Sequence, residues 1–384
     1  MTLAITARAA ELRAGGVDVI NLSVGEPDFP TPRRVKEAGI RAIREDFTHY
    51  TAAAGIRELR EAICAKLKRD NGLEYTPEQI VAGNGAKHIL SSLLLAVAGP
   101  GDEVLIPRPS FLAYPEMVRI AGAEPVFLPT RVEDHWRIDP EALAAAITPR
   151  TRAVILCSPG NPTGAAYTPE EIRALGAVLR ERDLWVISDE IYEKLRYDGR
   201  PHLSFAAVEG LYEKTAVVNG VSKYYAMTGW RLGYAAAPRE LARAVATIQG
   251  QMTSSASSIS QRAALQALTG PGGEPEEMVA AFARRRKLMA DLLSSSLPDA
   301  TTAPIEGAFY AFPKVSGYYG RSFAGRRIEG SVALCDYLLE TRHLALVPGA
   351  VFGADDHIRL SFAASEEEIR EGVARLAEGL EALG

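Results

Sequence analysis

The chain has 384 residues, 43 Lys and Arg against 48 Asp and Glu, and a formal charge of −5 at pH 7. A composition of 47% hydrophobic and 24% charged residues is an ordinary globular balance, which excludes wholesale disorder and collagen-like repeats, and the length predicts two domains or one large α/β unit. Mild acidity without a long Lys/Arg block argues against nucleic acid as a partner.

The opening eight residues lack the basic-then-apolar order of a signal peptide. Leu59, Ile63 and Leu67 recur at four-residue steps across 58–68 and stop at Asn71-Gly72, predicting an amphipathic helix with a C-terminal glycine cap. Gly83-Asn-Gly-Ala-Lys-His88 leads from a possible strand into a helix, and 89–98 is apolar enough for a core helix but well short of the ~20 residues of a membrane span. From Thr76 onward short apolar runs alternate with helical patterns, the mark of βαβ units around a mostly parallel sheet. Buried strands are predicted at 103–106, 153–156, 184–188, 215–219 and 231–236. Thr168-Pro-Glu-Glu171 predicts a capped helix start running toward Arg182, and Ser365 with Glu368 predicts another. Gly270-Pro-Gly-Gly-Glu-Pro275 is a candidate junction, or a plain surface loop, ahead of a basic helical pattern at 284–287. Cys64, Cys157 and Cys335 are far apart and form neither a disulfide framework nor a zinc motif, which predicts a cytoplasmic protein without a metal.

Ligands of open parallel sheets bind beyond the carboxyl ends of the strands, and the polar residues of this chain gather there. Leu156 leads into Ser158-Pro-Gly-Asn-Pro-Thr-Gly164, Ile187 into Ser188-Asp-Glu-Ile-Tyr192, and Val218 into Asn219-Gly-Val-Ser-Lys223. Lys223 could be a surface cation or a desolvated amine nucleophile. Asp189 could cap a helix, bind a metal or partner a cationic ring nitrogen; at about 4 Å and an effective dielectric of 20 such a pair is worth ~4 kcal/mol. Asn161 could simply be a turn residue. In the glycine-rich turn at 83–88, small residues let backbone N–H groups approach a phosphate at a helix N-terminus. Arg231 either opens a strand or adds a second phosphate contact.

These motifs, in this order, resemble the class I/II aminotransferases, fold-type I pyridoxal-phosphate enzymes, most nearly their prokaryotic aspartate aminotransferase branch. The resemblance runs almost end to end, through 23–32 (Ser-Val-Gly-Glu-Pro-Asp-Phe-Pro-Thr-Pro), 50–60 (Tyr-Thr-Ala-Ala-Ala-Gly-Ile-Arg-Glu-Leu-Arg), 158–164, 188–192, 223–233, 306–310 (Glu-Gly-Ala-Phe-Tyr), 347–349 and 357–361. It implies a mostly parallel sheet flanked by helices in a large cofactor domain, 31–277, and a smaller α/β domain made from 1–30 and 278–384. It implies pyridoxal 5'-phosphate, with Lys223 forming the internal aldimine and shuttling the proton, Asp189 pairing with the pyridine nitrogen, and Asn161 and Tyr192 bonding the ring's 3' oxygen. The amides of Gly85 and Ala86 would hold the phosphate together with Arg231 and with Tyr50 from a second subunit, so a homodimer is expected. Ser222 and Lys87 belong to the same cofactor neighbourhood. Arg359 would grip the substrate α-carboxylate with help from the backbone at Gly25, and Phe111 would stack on the ring.

Lys87 matches a lysine that reads a distal carboxylate, although a solvated helix lysine is the alternative. The expected substrates are amino acids and 2-oxo acids, namely L-aspartate plus 2-oxoglutarate giving oxaloacetate plus L-glutamate in a ping-pong reaction. A transaminase for alanine, aromatic or other amino acids, or a carbon–sulfur lyase on the same fold, is the alternative. Three departures are visible. Phe111 stands where the branch usually has Trp, Gly220 where other branches have a phosphate-binding Ser, and the chain begins without a short segment, including a basic residue, that in relatives helps cover the site and extends recognition toward prephenate.

Overall fold

The computed structural model describes residues 2–384; Met1, the start of the opening segment, lies outside the described residues. Its largest sheet has seven strands: β1 (Ile80–Gly83), β2 (Glu103–Arg108), β3 (Glu124–Pro129), β4 (Thr151–Cys157), β5 (Trp185–Asp189), β6 (Thr215–Gly220) and β7 (Gly233–Ala236). They lie in the order β1-β7-β6-β5-β4-β2-β3. The pairs β2–β3, β2–β4, β4–β5 and β5–β6 are parallel, and only β7 runs against its neighbours. The central strands are buried on both faces, so their sequences read as continuous apolar runs: Val104, Leu105 and Ile106, or Val154, Ile155 and Leu156, are at most 1% exposed.

Strand β3 is not among the predicted strands, and Pro125 and Pro129 within Glu124-Pro-Val-Phe-Leu-Pro129 are unfavourable in a central strand. Its place at the edge of the sheet explains why they are tolerated. The last predicted strand is also shorter than expected. Arg231 does not open β7 but sits in the left-handed region, φ 53°, at the end of the turn before it.

The helix signals are local and their geometry is present. Arg57–Asn71 ends on Gly72 at φ 67°, while Pro169–Arg180 and Glu366–Glu381 begin with reciprocal capping boxes at Thr168/Glu171 and Ser365/Glu368. The glycine- and proline-rich stretch at 270–275 contains a helix start, since Glu274–Ser296 begins inside it with Pro275 in its first turn.

A second core joins the two ends of the chain. Ile20 and Leu22 pack with Phe309, Tyr310, Leu360, Phe362, Val373 and Leu376, and Ile20–Asn21 pairs in parallel with Leu344–Ala345. Beside them, Ile358–Ser361 lies between Val347–Pro348 and Tyr310–Ala311 in an antiparallel three-stranded sheet. Each fully buried Leu or Phe here contributes roughly 1.5–3 kcal/mol. Arg359 therefore stands on a rigid strand.

Candidate active site

Because β1, β4, β5 and β6 share a direction, their carboxyl ends open on one side of the sheet, and a cavity of about 390 Å³ lies there. The turn after β6 delivers Lys223, whose Nζ donates to the Gly25 carbonyl at 2.6 Å and lies 5.8 Å and 5.6 Å from the ring centres of Tyr192 and Phe309. Burial in the cavity wall lowers its ammonium to about 8; Glu26 opposes the shift, and Arg359 and Arg231 add to it.

Asp189 ends β5 and is 5% exposed. Its Oδ2 accepts from the Tyr114 hydroxyl at 2.7 Å and its Oδ1 from the Ile191 amide at 3.2 Å. Burial raises this carboxyl to about 6, with the two hydrogen bonds acting the other way. Two residues further on, the hydroxyl of buried Tyr192 lies 3.0 Å from that of Tyr310.

Arg359 is 5% exposed. Its Nη1 donates to Asn161 Oδ1 at 3.0 Å and its Nη2 to the Ser23 carbonyl at 2.8 Å, whereas its buried Nε has no partner. A guanidinium has five N–H donors, so the fork keeps capacity for an anion. The ring of Tyr310 lies 4.4 Å below it. Among the described residues, this puts a buried cation, a buried carboxylate and an amine with a lowered pKa around one cavity.

The phosphate-like end is built from close backbone approach. Gly85, at φ 87°, caps the helix Ala86–Val97, and a Cβ on Gly233 would stand 2.2 Å from the Ala86 nitrogen. Arg231 lies against this turn: a Cβ on Gly85 would come within 2.5 Å of its Nη2, and its Nη1 donates to the Thr228 carbonyl at 2.8 Å. Ala86, Lys87, Phe111, Asn161, Ser222 and Gly25 line the same cavity. Lys87 is exposed, with its Nζ 5.2 Å from the Phe111 ring centre. Tyr50 is 90% exposed and is not part of the lining.

The structure adds residues to which sequence reasoning gave no role. Tyr114 and Tyr310 supply hydroxyls, and Thr228 Oγ1 donates to Glu26 Oε2 at 2.5 Å on the rim. Tyr114 follows Phe111 by three residues at the start of the helix Ala113–Ile120, a spacing that by itself names no partner. Behind β5 the donor atoms of Glu190, Glu193 and His202 lie within 4.8 Å of one another. Their capacity is already engaged, Glu190 by Ser188, Ser204 and His202, and Glu193 by Lys66 and Asn71.

Residues 17–376 match the model of the family described as aminotransferase class I and II. The aspartate/prephenate aminotransferase of Cereibacter sphaeroides is 48% identical over 98% of this chain and 94% of its own length, and the aspartate aminotransferase of Geobacillus stearothermophilus is 44% identical over 99% and 96%. Among solved structures, the aspartate aminotransferase of Rhizobium meliloti superposes with a TM-score of 0.95 at 44% identity, covering 100% of this chain and 96% of that one. That of Thermus thermophilus with maleate gives 0.91 at 42% identity, covering 98% and 96%. The mostly parallel sheet with flanking helices is thus the fold that the motifs implied. The chain belongs to the class I and II aminotransferase family.

Proposed function

We propose that the protein is a pyridoxal 5'-phosphate-dependent aminotransferase that converts L-aspartate and 2-oxoglutarate to oxaloacetate and L-glutamate by a ping-pong mechanism. The observation that carries this reading is the meeting of Lys223, Asp189 and Arg359 around one cavity of about 390 Å³. The cavity fits the cofactor: the close approach at Gly233 leaves the Gly85–Ala86 turn open to a phosphate beside Arg231, and Arg359 retains an unpartnered buried donor for a carboxylate. Names of the relatives, several of them aspartate aminotransferases, point the same way.

When bound, pyridoxal 5'-phosphate supplies an aldehyde that condenses with amines and a protonated ring that draws electrons from the substrate Cα. The chain's own residues do the rest. Lys223 would be the amine that receives the aldehyde and that accepts and returns a proton at Nζ; an amine brought down to about 8 is neutral often enough near pH 7–8 to do so. Asp189, ionised, would accept a hydrogen bond from the ring N–H and so keep that nitrogen protonated. Asn161 uses Oδ1 to orient Arg359, which frees its amide N–H groups for the 3' oxygen, and Tyr192 adds its hydroxyl. Arg359 and the backbone at Gly25 orient the α-carboxylate, Phe111 lies on the ring, and Lys87 reads the distal carboxylate. Ser222 lies beside the phosphate.

The same reading makes the active protein a cytoplasmic homodimer in which Tyr50 reaches the neighbouring site. Tyr50 is strongly exposed, and exposed Ile40, Ile43 and Met252 add an apolar surface suited to a second copy. The same reading divides the chain into a large domain, 31–277, and a small one, 1–30 with 278–384; the seven-stranded sheet lies within the first, and the packing of Ile20 and Leu22 against C-terminal residues supports joining the two ends in the second.

The test is a single-turnover scan of the holoenzyme with aspartate, glutamate, alanine and phenylalanine, following conversion of the cofactor absorbance, in wild type and Lys87→Ala. Fast conversion confined to the acidic pair, with Lys87→Ala weakening that pair by about 10- to 150-fold, is the expected result. Equal conversion of alanine or phenylalanine would remove the aspartate assignment. Release of ammonia without an acceptor would replace transamination by elimination.

A further inference from the structure

Asp189 is held from a direction that the motifs do not reveal. Its Oδ2 receives the hydroxyl of Tyr114, 2.7 Å away, on the helix Ala113–Ile120, and its Oδ1 receives the Ile191 amide from its own turn. Tyr114 is 2% exposed. A buried phenol needs a hydrogen-bond partner, and the partner here is a carboxylate that also lines the cavity. The turn leading into that helix carries Phe111, whose ring meets that of Tyr114 edge-on at 5.5 Å while the Tyr114 amide donates to the Phe111 carbonyl at 3.0 Å. One turn therefore places both the aromatic face over the cofactor position and the donor behind the acid.

We propose that Tyr114 is a positioning residue for Asp189, fixing one carboxylate oxygen against its helix so that the remaining lone pairs face the cavity and the group stays ionised for the cofactor's ring nitrogen. The inference rests on the pyridoxal-phosphate reading above. Ionisable groups around Asp189 come from every neighbouring element: Tyr114, Cys157 on β4, Glu190 beside it and Lys223 across the cavity. Burial and the carboxylate itself push the Tyr114 hydroxyl well up, so it remains a donor at all working pH values. Cys157 does not replace it, because its thiol is directed to the Pro159 carbonyl at 3.3 Å. Of the two donors to Asp189, the Ile191 amide belongs to the backbone, so Tyr114 is the one that a side-chain change can remove.

The test compares wild type, Tyr114→Phe, Asp189→Asn and the double variant as holoenzymes. It reads the absorbance of the lysine-linked cofactor, the cofactor dissociation constant, and kcat and KM for aspartate. Tyr114→Phe removes a single oxygen and keeps the ring that Phe111 touches. The expected result is a loss of about 10- to 150-fold, the range of a charge-assisted hydrogen bond, in kcat or cofactor affinity, with KM for aspartate nearly unchanged. In the Asp189→Asn background the same substitution should have almost no further effect on the dissociation constant, since the cycle isolates the pair. A loss of equal size in both backgrounds, or none in either, would overturn the role of Tyr114 while the wild-type absorbance still supports the cofactor. A wild-type protein that never develops that absorbance would overturn the cofactor reading and this inference together.

Discussion

Replacing Lys223 by methionine tests whether this amine is held in a site that disfavours its charge. Methionine keeps an unbranched stem and removes the ammonium. The fall of the Lys223 pKa from 10.5 to about 8 means that below pH 8 the folded, cofactor-free chain carries a charge worth about 3 kcal/mol more when exposed by unfolding. Loss of the Nζ bond to Gly25, on the order of 1 kcal/mol, offsets part of this and leaves about 2 kcal/mol in favour of the variant. For a chain of this length that is roughly 2–3 °C in melting temperature. The sign with pH follows from linkage. Below 8 the amine is protonated in both states and the whole penalty is present. Between 8 and 10.5 the folded amine loses its proton before the unfolded one, and above 10.5 nothing remains. Melting of the cofactor-free proteins at pH 7 and pH 9.5 should therefore show Lys223→Met more stable at pH 7, with roughly half of the ammonium penalty gone at pH 9.5. A variant that melts below wild type at pH 7 by the same margin at both pH values would refute a desolvated lysine, whatever its effect on turnover.

Other substitutions test the remaining parts of the site. Arg359→Lys should raise KM for donor and acceptor about 10-fold or more with little change in the bound cofactor's absorbance, because the planar fork between Asn161 and Ser23 is lost; an unchanged KM would count against the carboxylate role. Gly233→Ala should lower cofactor affinity sharply, since its Cβ would meet the backbone of Ala86 at 2.2 Å, and equilibrium dialysis against pyridoxal phosphate measures it; wild-type retention would show that the turn yields. Mixed dimers of Tyr50→Ala with Lys223→Ala should regain activity that neither variant has at full strength alone, because one of the two sites would then hold both native residues. No gain on mixing would place Tyr50 outside the partner's site.

The parts of the fold that could be read in advance are those set by neighbouring residues. Thr168 with Glu171, Ser365 with Glu368, and Gly72 after the Leu59–Ile63–Leu67 stripe each cap a helix with groups three or four positions away. The continuous apolar runs of β2, β4, β5 and β6 follow from burial on both faces. Where the deciding partner is distant, sequence falls silent. The prolines of β3 are harmless only because the strand lies at an edge, and Arg231 leaves β7 because its turn folds back on Gly85. Lys223, Asp189, Asn161 and Arg359 stood out at strand ends or in motifs, and the fold brings all four to the cavity. Tyr114 had no such mark, since the group that explains it lies 75 residues away on another element.

Charge in the cavity gives the arrangement a direction. The chain as a whole carries −5, yet Lys87, Lys223, Arg231 and Arg359 face only Asp189 and Glu26 around the cavity, so a local positive field opens in an acidic molecule. Two of these cations, Arg359 and Arg231, help to lower Lys223. An anion on either arginine screens that repulsion. A substrate carboxylate at Arg359 and a phosphate at Arg231 therefore remove the part of the lowering that the two arginines cause, while burial, its largest cause, persists and keeps the amine below its ordinary basicity. The same arginines that would hold the ligands thus tie the proton affinity of Lys223 to their presence, which is the state in which a proton has to be accepted.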